Sequence, residues 1–387
     1  MTRIFSATQP NGGTKLLILG ASHYPHAQVA KPKVPKLEDI SSAATSAIDF
    51  ATNALTKWKN LFIKPIASVD LLVNDAANPD GVSFGCAGVD EIKVQAPTMD
   101  NILAARSSWL ANADPKDTLI FYCCGHGIWL PSNSRTFLAS DFGVDDESVW
   151  PKAIALDDFA LGLTDKAPRN QWLLFDCCAN TPPSALRNAK PAANPLIEPT
   201  NGMRAAMIKQ YGSPVQATIA TASVGEQAFG RAGGRSRFMD VFIEACEDAG
   251  FREQADDGRW MLTLQGLDSS MSTYRFRVAS LADRPYYTFS RLTTTDATEP
   301  PRLMARDQPA SCTFLVTSEP AAKLKTCDLG IYLGTEKIAG QYGQGATELF
   351  RSVVTSFEMY KIHAGWPQEA PTIQSRRALP PLTEVKF

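Results

Sequence analysis

Two stretches of this chain carry residue types suited to nucleophilic chemistry: Thr118-Leu119-Ile120-Phe121-Tyr122-Cys123-Cys124-Gly125-His126-Gly127, and Trp172-Leu173-Leu174-Phe175-Asp176-Cys177-Cys178-Ala179-Asn180. Each is an apolar run that ends abruptly in small and reactive residues. That is the pattern of a buried parallel strand whose C-terminal end opens into a site. If the two strands are neighbours, an imidazole faces a thiol across the sheet rim. A free thiol is mostly protonated at neutral pH, so its attack on a carbonyl carbon needs an adjacent base or a lowered pKa. His126 can take the proton from Cys178 and return one to the leaving group. The backbone N–H groups of Gly127 and Cys178, at the open strand ends, are the expected oxyanion donors. Gly127 also lets a substrate backbone approach closely. The competing structural explanation is that His126 caps a strand and Cys178 is a small core residue.

The other thiols have different expectations. Successive side chains on a strand alternate faces, so within Cys123-Cys124 and Cys177-Cys178 one sulfur should point into the sheet packing and the other toward the rim. That alternation opposes a metal cluster built from them, and no metal site is expected. Cys86, Cys246, Cys312 and Cys327 are scattered. This is not the spacing of a secreted disulfide framework, and a reducing, cytoplasmic compartment fits it best.

The elements that must position these residues follow in order. Lys15–Gly20 predicts a first buried strand, with Gly20–Tyr24 as the loop at its end. His23 and His26 flank Tyr24 there and read as ordinary loop histidines or as groups touching substrate. From Leu37, the apolar positions Ile40, Ala44, Ile48, Ala51, Leu55 and Trp58 predict a long amphipathic helix. A strand over Val69–Val73 and a loop or hairpin over Asn74–Pro97 come next. A helix opening at Thr98 precedes the His126 strand, and a helix over Leu156–Lys166 precedes the Cys178 strand. The alternation of strand and helix implies right-handed crossovers and a mainly parallel sheet covered on both faces. Ala179–Pro214 carries six prolines and predicts a long loop, with a short helix at Met203–Tyr211. Further elements are a strand at Ala217–Ala222, helices at Phe238–Ala245 and Leu262–Phe276, and a closing strand at Pro285–Leu292. Beyond a composition shift near Thr293–Pro301, β-like runs at Cys312–Val316 and Leu329–Leu333, a helix over Thr347–Phe357 and an extended Ala370–Phe387 are expected.

In their order and separation, the pairs His126-Gly127 and Asp176-Cys177-Cys178 resemble the caspase-like cysteine peptidases, on the metacaspase and paracaspase side of that clan. The resemblance covers residues 14 to 290 and leaves the tail unassigned. It implies an α/β caspase-like sheet domain over residues 1–295 and a small C-terminal domain of mixed or β character over 296–387. It also implies a Cys178–His126 dyad hydrolysing peptide bonds, with Asp176 lining a substrate pocket that favours Arg or Lys before the cut. Where metacaspases carry an Asn-Asp pair in the first long helix, this chain has Ser42-Ala43, and Asp39 lies one turn earlier as the candidate second acid. Cys124 stands where a Ser often precedes the Gly-His-Gly, and Ala179-Asn180-Thr181 where Ser-Gly often follows the Cys. Such enzymes often regulate themselves by cutting the loop after the nucleophile, where Arg187, Lys190 and Arg204 are the basic candidates. No cofactor is required, although some metacaspases use calcium and Asp145-Asp146-Glu147 is an acidic cluster of the kind that binds it. The implied setting is a regulated bacterial protease of stress or antiphage responses, with a protein or peptide substrate and an activator or regulatory protein engaging the C-terminal region. The rivals are a catalytically inactive binding module on the same scaffold and a cysteine hydrolase of small amides.

Composition bounds these expectations. The 387 residues are 44% hydrophobic, enough for one large core and a smaller one, and the net charge of −2 supplies no electrostatic footprint for nucleic acid or an anionic membrane. No apolar run reaches the length needed to cross a bilayer, and Met1–Thr14 lacks the apolar core of a secretory signal.

Overall fold

The runs Thr14–Ala21, Ile66–Asn74, Thr118–Gly125 and Asn170–Cys177 are apolar through most of their length instead of alternating, as strands buried on both faces must be. The computed structural model of the chain describes residues 3–31, 34–130, 134–145, 147–178, 193–222, 230, 233–274, 290–294, 301–342 and 347–387. In chain order its first strands are β1 (Arg3–Ser6), β2 (Thr14–Ala21), β3 (Ile66–Asn74), β4 (Ser83–Cys86), β5 (Val89–Lys93), β6 (Thr118–Gly125), β7 (Gly127–Leu130), β8 (Ser134–Leu138), β9 (Ala153–Ala155), β10 (Asn170–Cys177) and β11 (Val215–Ala220). The helices among them are α1 (Ser41–Leu55), α2 (Met99–Leu110) and α3 (Leu156–Leu163).

A seven-stranded sheet runs in the order β1-β3-β2-β6-β10-β11, closed by the strand Ser290–Thr294. Its five inner strands are mutually parallel and the two outer ones antiparallel to their neighbours. The fold is therefore α/β with a mainly parallel sheet. One face packs Phe121, Cys123, Phe175 and Cys177 against α2 residues Ile102 and Trp109 and α3 residues Phe159 and Leu163. On the other face α1 stacks Phe50 on Tyr122, with ring centroids 5.1 Å apart. It also lies so close to β2 that a Cβ at Gly20 would come within 2.7 Å of the Ala47 methyl. Chain order and sheet order reverse at β2: β3 lies on one side of it and β6 on the other. In open α/β sheets the crevice beyond the carboxyl ends at such a switch point is where ligands bind. The loops after β2 and β6 both open there.

The chain forms two compact units, Met1–Asp240 with Pro285–Pro301, and Val241–Arg284 with Arg302–Phe387. Against the sequence boundary at 295/296, the second unit also takes in 241–284, because the strand Trp260–Thr263 pairs with Arg302–Arg306. This unit is built of small antiparallel and mixed sheets: Phe251–Gln254 with those two strands; Phe350–Thr355, Ser311–Thr317 and Leu382–Lys386; and Glu336–Gln341, Asp328–Leu333, Met359–Gly365 and Thr372–Arg377. Its core gathers Phe314, Leu329, Ile331, Tyr360 and Ile362.

Two expected helices are corrected here. Over Thr347–Phe357, the β-branched Val353, Val354 and Thr355 favour extended backbone, and the segment forms a strand paired with Ser311–Thr317. Over Leu262–Phe276, Trp260–Thr263 is strand and the helix starts at Leu264, where the Thr263 hydroxyl caps it by accepting the Gly266 N–H at 3.1 Å. Residues 179–192, with Arg187 and Lys190, lie outside the described residues, as do Asp146 and the side chain of Arg204. Among the described residues no helix is long and apolar enough to cross a membrane.

Candidate active site

The His126 and Cys178 strands are neighbours. β6 and β10 run parallel in the register Cys124↔Asp176 and Gly125↔Cys177. His126 and Cys178 are thus the next residue on each strand, side by side at the carboxyl edge where the ladder ends. Alternation puts the two thiols of each pair on opposite faces of the sheet, but only Cys178 reaches the rim; Cys124, expected at the rim or in the packing, is buried under α1. Cys123 and Cys177 are buried in the core on the α2/α3 face and hydrogen-bond each other. Cys124 lies on the α1 face with Tyr122 and Asp176. Cys178, two residues beyond Asp176, continues that face and is half-buried.

The imidazole is held from two sides. Its Nε2 lies 2.8 Å from the Glu38 carbonyl oxygen, which can only accept, so Nε2 carries the hydrogen and Nδ1 holds the lone pair in the neutral ring. The His126 backbone N–H donates to the Tyr24 hydroxyl at 2.8 Å, and that hydroxyl donates to the Ala21 carbonyl at 3.1 Å. The Tyr24 ring also lies against the imidazole, with centroids 5.0 Å apart. Burial pushes the His126 pKa below the ordinary histidine value; the bond to the Glu38 carbonyl and the charges of Asp39 and Glu38 oppose that shift. At neutral pH the ring is a neutral base.

Glu38 and Asp39 reach the site because α1 begins late. The periodicity from Leu37 predicts helix, yet the first helical residue is Ser41. Ser22, in the loop after β2, stops it there: its Oγ donates to the Ile40 carbonyl at 2.7 Å and accepts the Ala44 N–H at 2.8 Å, while its backbone carbonyl accepts the Ile40 N–H. The residues before Ser41 stay extended, and the Glu38 carbonyl is left to His126 and not to a helical turn. Asp39 Oδ1 sits 2.8 Å from His23 Nδ1 and accepts from the Gln28 amide at 3.0 Å. His23 is therefore paired to Asp39 and is not loose in the loop.

Gly127 is pressed onto the strand that carries Cys177 and Cys178. A Cβ there would fall 2.2 Å from the Cys178 carbonyl oxygen and 2.9 Å from Cys177 Sγ. Leu138 N–H donates to the His126 carbonyl, so in the antiparallel β7–β8 pairing His126 is a hydrogen-bonded position and Gly127 is not. The Gly127 N–H consequently points away from β8, available to an oxyanion.

Asp176 is buried, 2% exposed, beneath the edge. Its Oδ2 accepts the Tyr122 hydroxyl at 2.9 Å and the Ser236 hydroxyl, and Cys124 also hydrogen-bonds to it. Burial raises its pKa to about 6 against the lowering pull of those three donors. Ser236 is fixed in turn by α1, donating its N–H to Ser46 Oγ at 2.8 Å, and it accepts the Met239 N–H. Among the described residues Asp176 and Asp39 share no hydrogen-bond partner: one faces hydroxyls inside the fold, the other a histidine and an amide at the rim. Asp145 accepts the N–H groups of Glu147 and Ser148 and so caps its own loop. Among the described residues no group of three or more His, Cys, Asp or Glu could hold a metal ion.

Tyr24, the Glu38 carbonyl, Ser22, Tyr122 and Ser236 were not singled out from sequence as parts of the site. Tyr24 stands between two histidines at a strand end, which is a faint signal. A backbone carbonyl leaves none. Neither a protein-family model nor a curated protein sequence matches this chain.

Proposed function

We propose that this protein is a caspase-like cysteine endopeptidase. The observation that carries the proposal is the register Gly125↔Cys177, which sets His126 beside Cys178, together with the Nε2–H bond to Glu38 that leaves Nδ1 as the free base. In the reaction, Nδ1 takes the Cys178 thiol proton as sulfur bonds to the carbonyl carbon of the scissile peptide. The tetrahedral oxyanion is held by the N–H groups of Gly127 and Cys178. The imidazolium then protonates the leaving amine, the C–N bond breaks, and water activated by His126 hydrolyses the thioester.

A preference for Arg or Lys before the cut rests on Asp176 under the nucleophile and on Glu38 and Asp39 at the rim. With a pKa of about 6, Asp176 is mostly ionised at neutral pH, and a cationic side chain would pair with it by displacing one of the donors that now enclose it, Tyr122, Ser236 or Cys124. The cytoplasmic setting, a role in stress or antiphage responses, and a regulatory partner for the C-terminal region follow from the resemblance to caspase-like proteases.

Cleavage of a positional-scanning peptide library by wild type and Cys178→Ala, with and without calcium, tests this. Turnover that requires Cys178 and selects Arg or Lys is the expected result. Cys178-dependent turnover with another preference would remove the acidic-pocket assignment, and absence of both turnover and labelling of Cys178 by a thiol-reactive peptide probe would favour the inactive binding module.

A further inference from the structure

The second unit carries an open strand edge beside a cavity with one apolar wall and one polar wall, the latter including Asp248, Gln308 and Ser311. Phe350–Thr355 pairs antiparallel with Ser311–Thr317 on one side and, among the described residues, with no strand on the other. The Ser356 N–H donates to the Ala310 carbonyl at 3.3 Å, which fixes the phase of the ladder: Val354, Ser352 and Phe350 turn their backbone groups inward. Arg351, Val353 and Thr355 turn theirs outward. The Tyr360 hydroxyl takes the Thr355 carbonyl. Those of Arg351 and Val353 meet no partner among the described residues.

Along this edge lies a cavity of about 410 Å3, lined on its apolar side by Leu333, Ile338, Val353, Val354 and Tyr360. That is within the roughly 300–1,000 Å3 of ligand pockets. Val353 is 67% exposed and Ile338 40%. Exposed apolar side chains on an unblocked edge are a liability that folds usually cover, by charge, proline or a further element. Among the described residues Arg351 is the one charge on this edge, and no proline or further strand covers Val353.

We infer that this edge binds an extended peptide segment of a protein partner, added as a strand beside Phe350–Thr355 with one apolar side chain in the cavity. The occupant is a peptide because alternating backbone donors and acceptors are matched by another backbone, while the neighbouring pocket selects a side chain. A compact small ligand would fill the cavity and leave the edge unpaired. The inference is independent of the hydrolytic proposal.

The test pans a phage-displayed random dodecapeptide library on immobilised full-length Cys178→Ala protein, then measures the selected peptides by fluorescence anisotropy. Val353→Pro removes an outward N–H without touching the inner ladder, and Ile338→Glu puts a charge into the cavity. Each should weaken binding at least about tenfold, while Ile373→Glu, on the exposed strand Thr372–Arg377, should leave it unchanged. Thermal unfolding of each variant checks its fold; Ile338→Glu, at an exposed side chain, carries the test if the proline variant unfolds. Failure to select any peptide, or selected peptides indifferent to Ile338→Glu, would overturn the inference. So would self-association of the protein that Val353→Pro abolishes, since the edge would then belong to a second copy.

Discussion

His126 is useful as a base only if one ring nitrogen is free and the ring stays neutral. The Glu38 carbonyl meets the first condition by claiming Nε2–H, and burial meets the second by lowering the pKa. Asp39 works in the other direction, because its anion favours the imidazolium. Asp39→Asn should therefore shift the acidic limb of the kcat/KM–pH profile to lower pH, with the plateau activity retained. An unchanged limb would mean that the Asp39 charge is screened from the ring. The sequence alone points to His126, Cys178, Gly127 and Asp176 as candidates, because they lie at or beside the ends of two apolar runs that are easy to see. Asp39 was found through a family pattern, and the structure gives it a different neighbourhood from Asp176.

At the scale of elements, the site depends on where α1 begins. Apolar spacing marked a helix from Leu37, but spacing cannot see a hydroxyl arriving from another loop. Ser22 closes the N-terminal end of α1 with two side-chain hydrogen bonds. Ser22→Ala should destabilise the protein by about 1–2 kcal/mol, the range for a lost helix cap that leaves a buried N–H unpaired, as read from denaturant unfolding. Because the same contact keeps Glu38 out of the helix, kcat should fall more than KM rises. A stability loss with kcat intact would separate the cap from the base.

At the scale of the molecule, Asp176 links the site to global stability. Its folded pKa of about 6 exceeds the ordinary 3.8, so between these values the folded state holds more proton than the unfolded one. Stability from this group is accordingly full below about pH 4 and is lost as pH rises toward about pH 6, by up to about 3 kcal/mol. Asp176→Asn has no such titration, so its stability relative to wild type should improve by that order as pH rises through the window. Chemical denaturation at both ends checks it; a pH-independent difference between the two proteins would refute the raised pKa.

The sequence by itself determined the strands of the central sheet, the two that end in His126 and Cys178, and the alternation that separates the cysteines, because these follow from apolar runs and the two-residue period of a strand. It did not determine the register that puts Gly125 opposite Cys177, the start of α1, or the strand at Phe350–Thr355. Register and helix ends are decided by hydrogen bonds between residues far apart in the chain, such as Ser22 to α1 and His126 to Glu38. The extended state of Phe350–Thr355 needed the partner strand Ser311–Thr317, and the hydroxyl cage around Asp176 needed Ser236, sixty positions away. Those pairings exist only once the chain has folded.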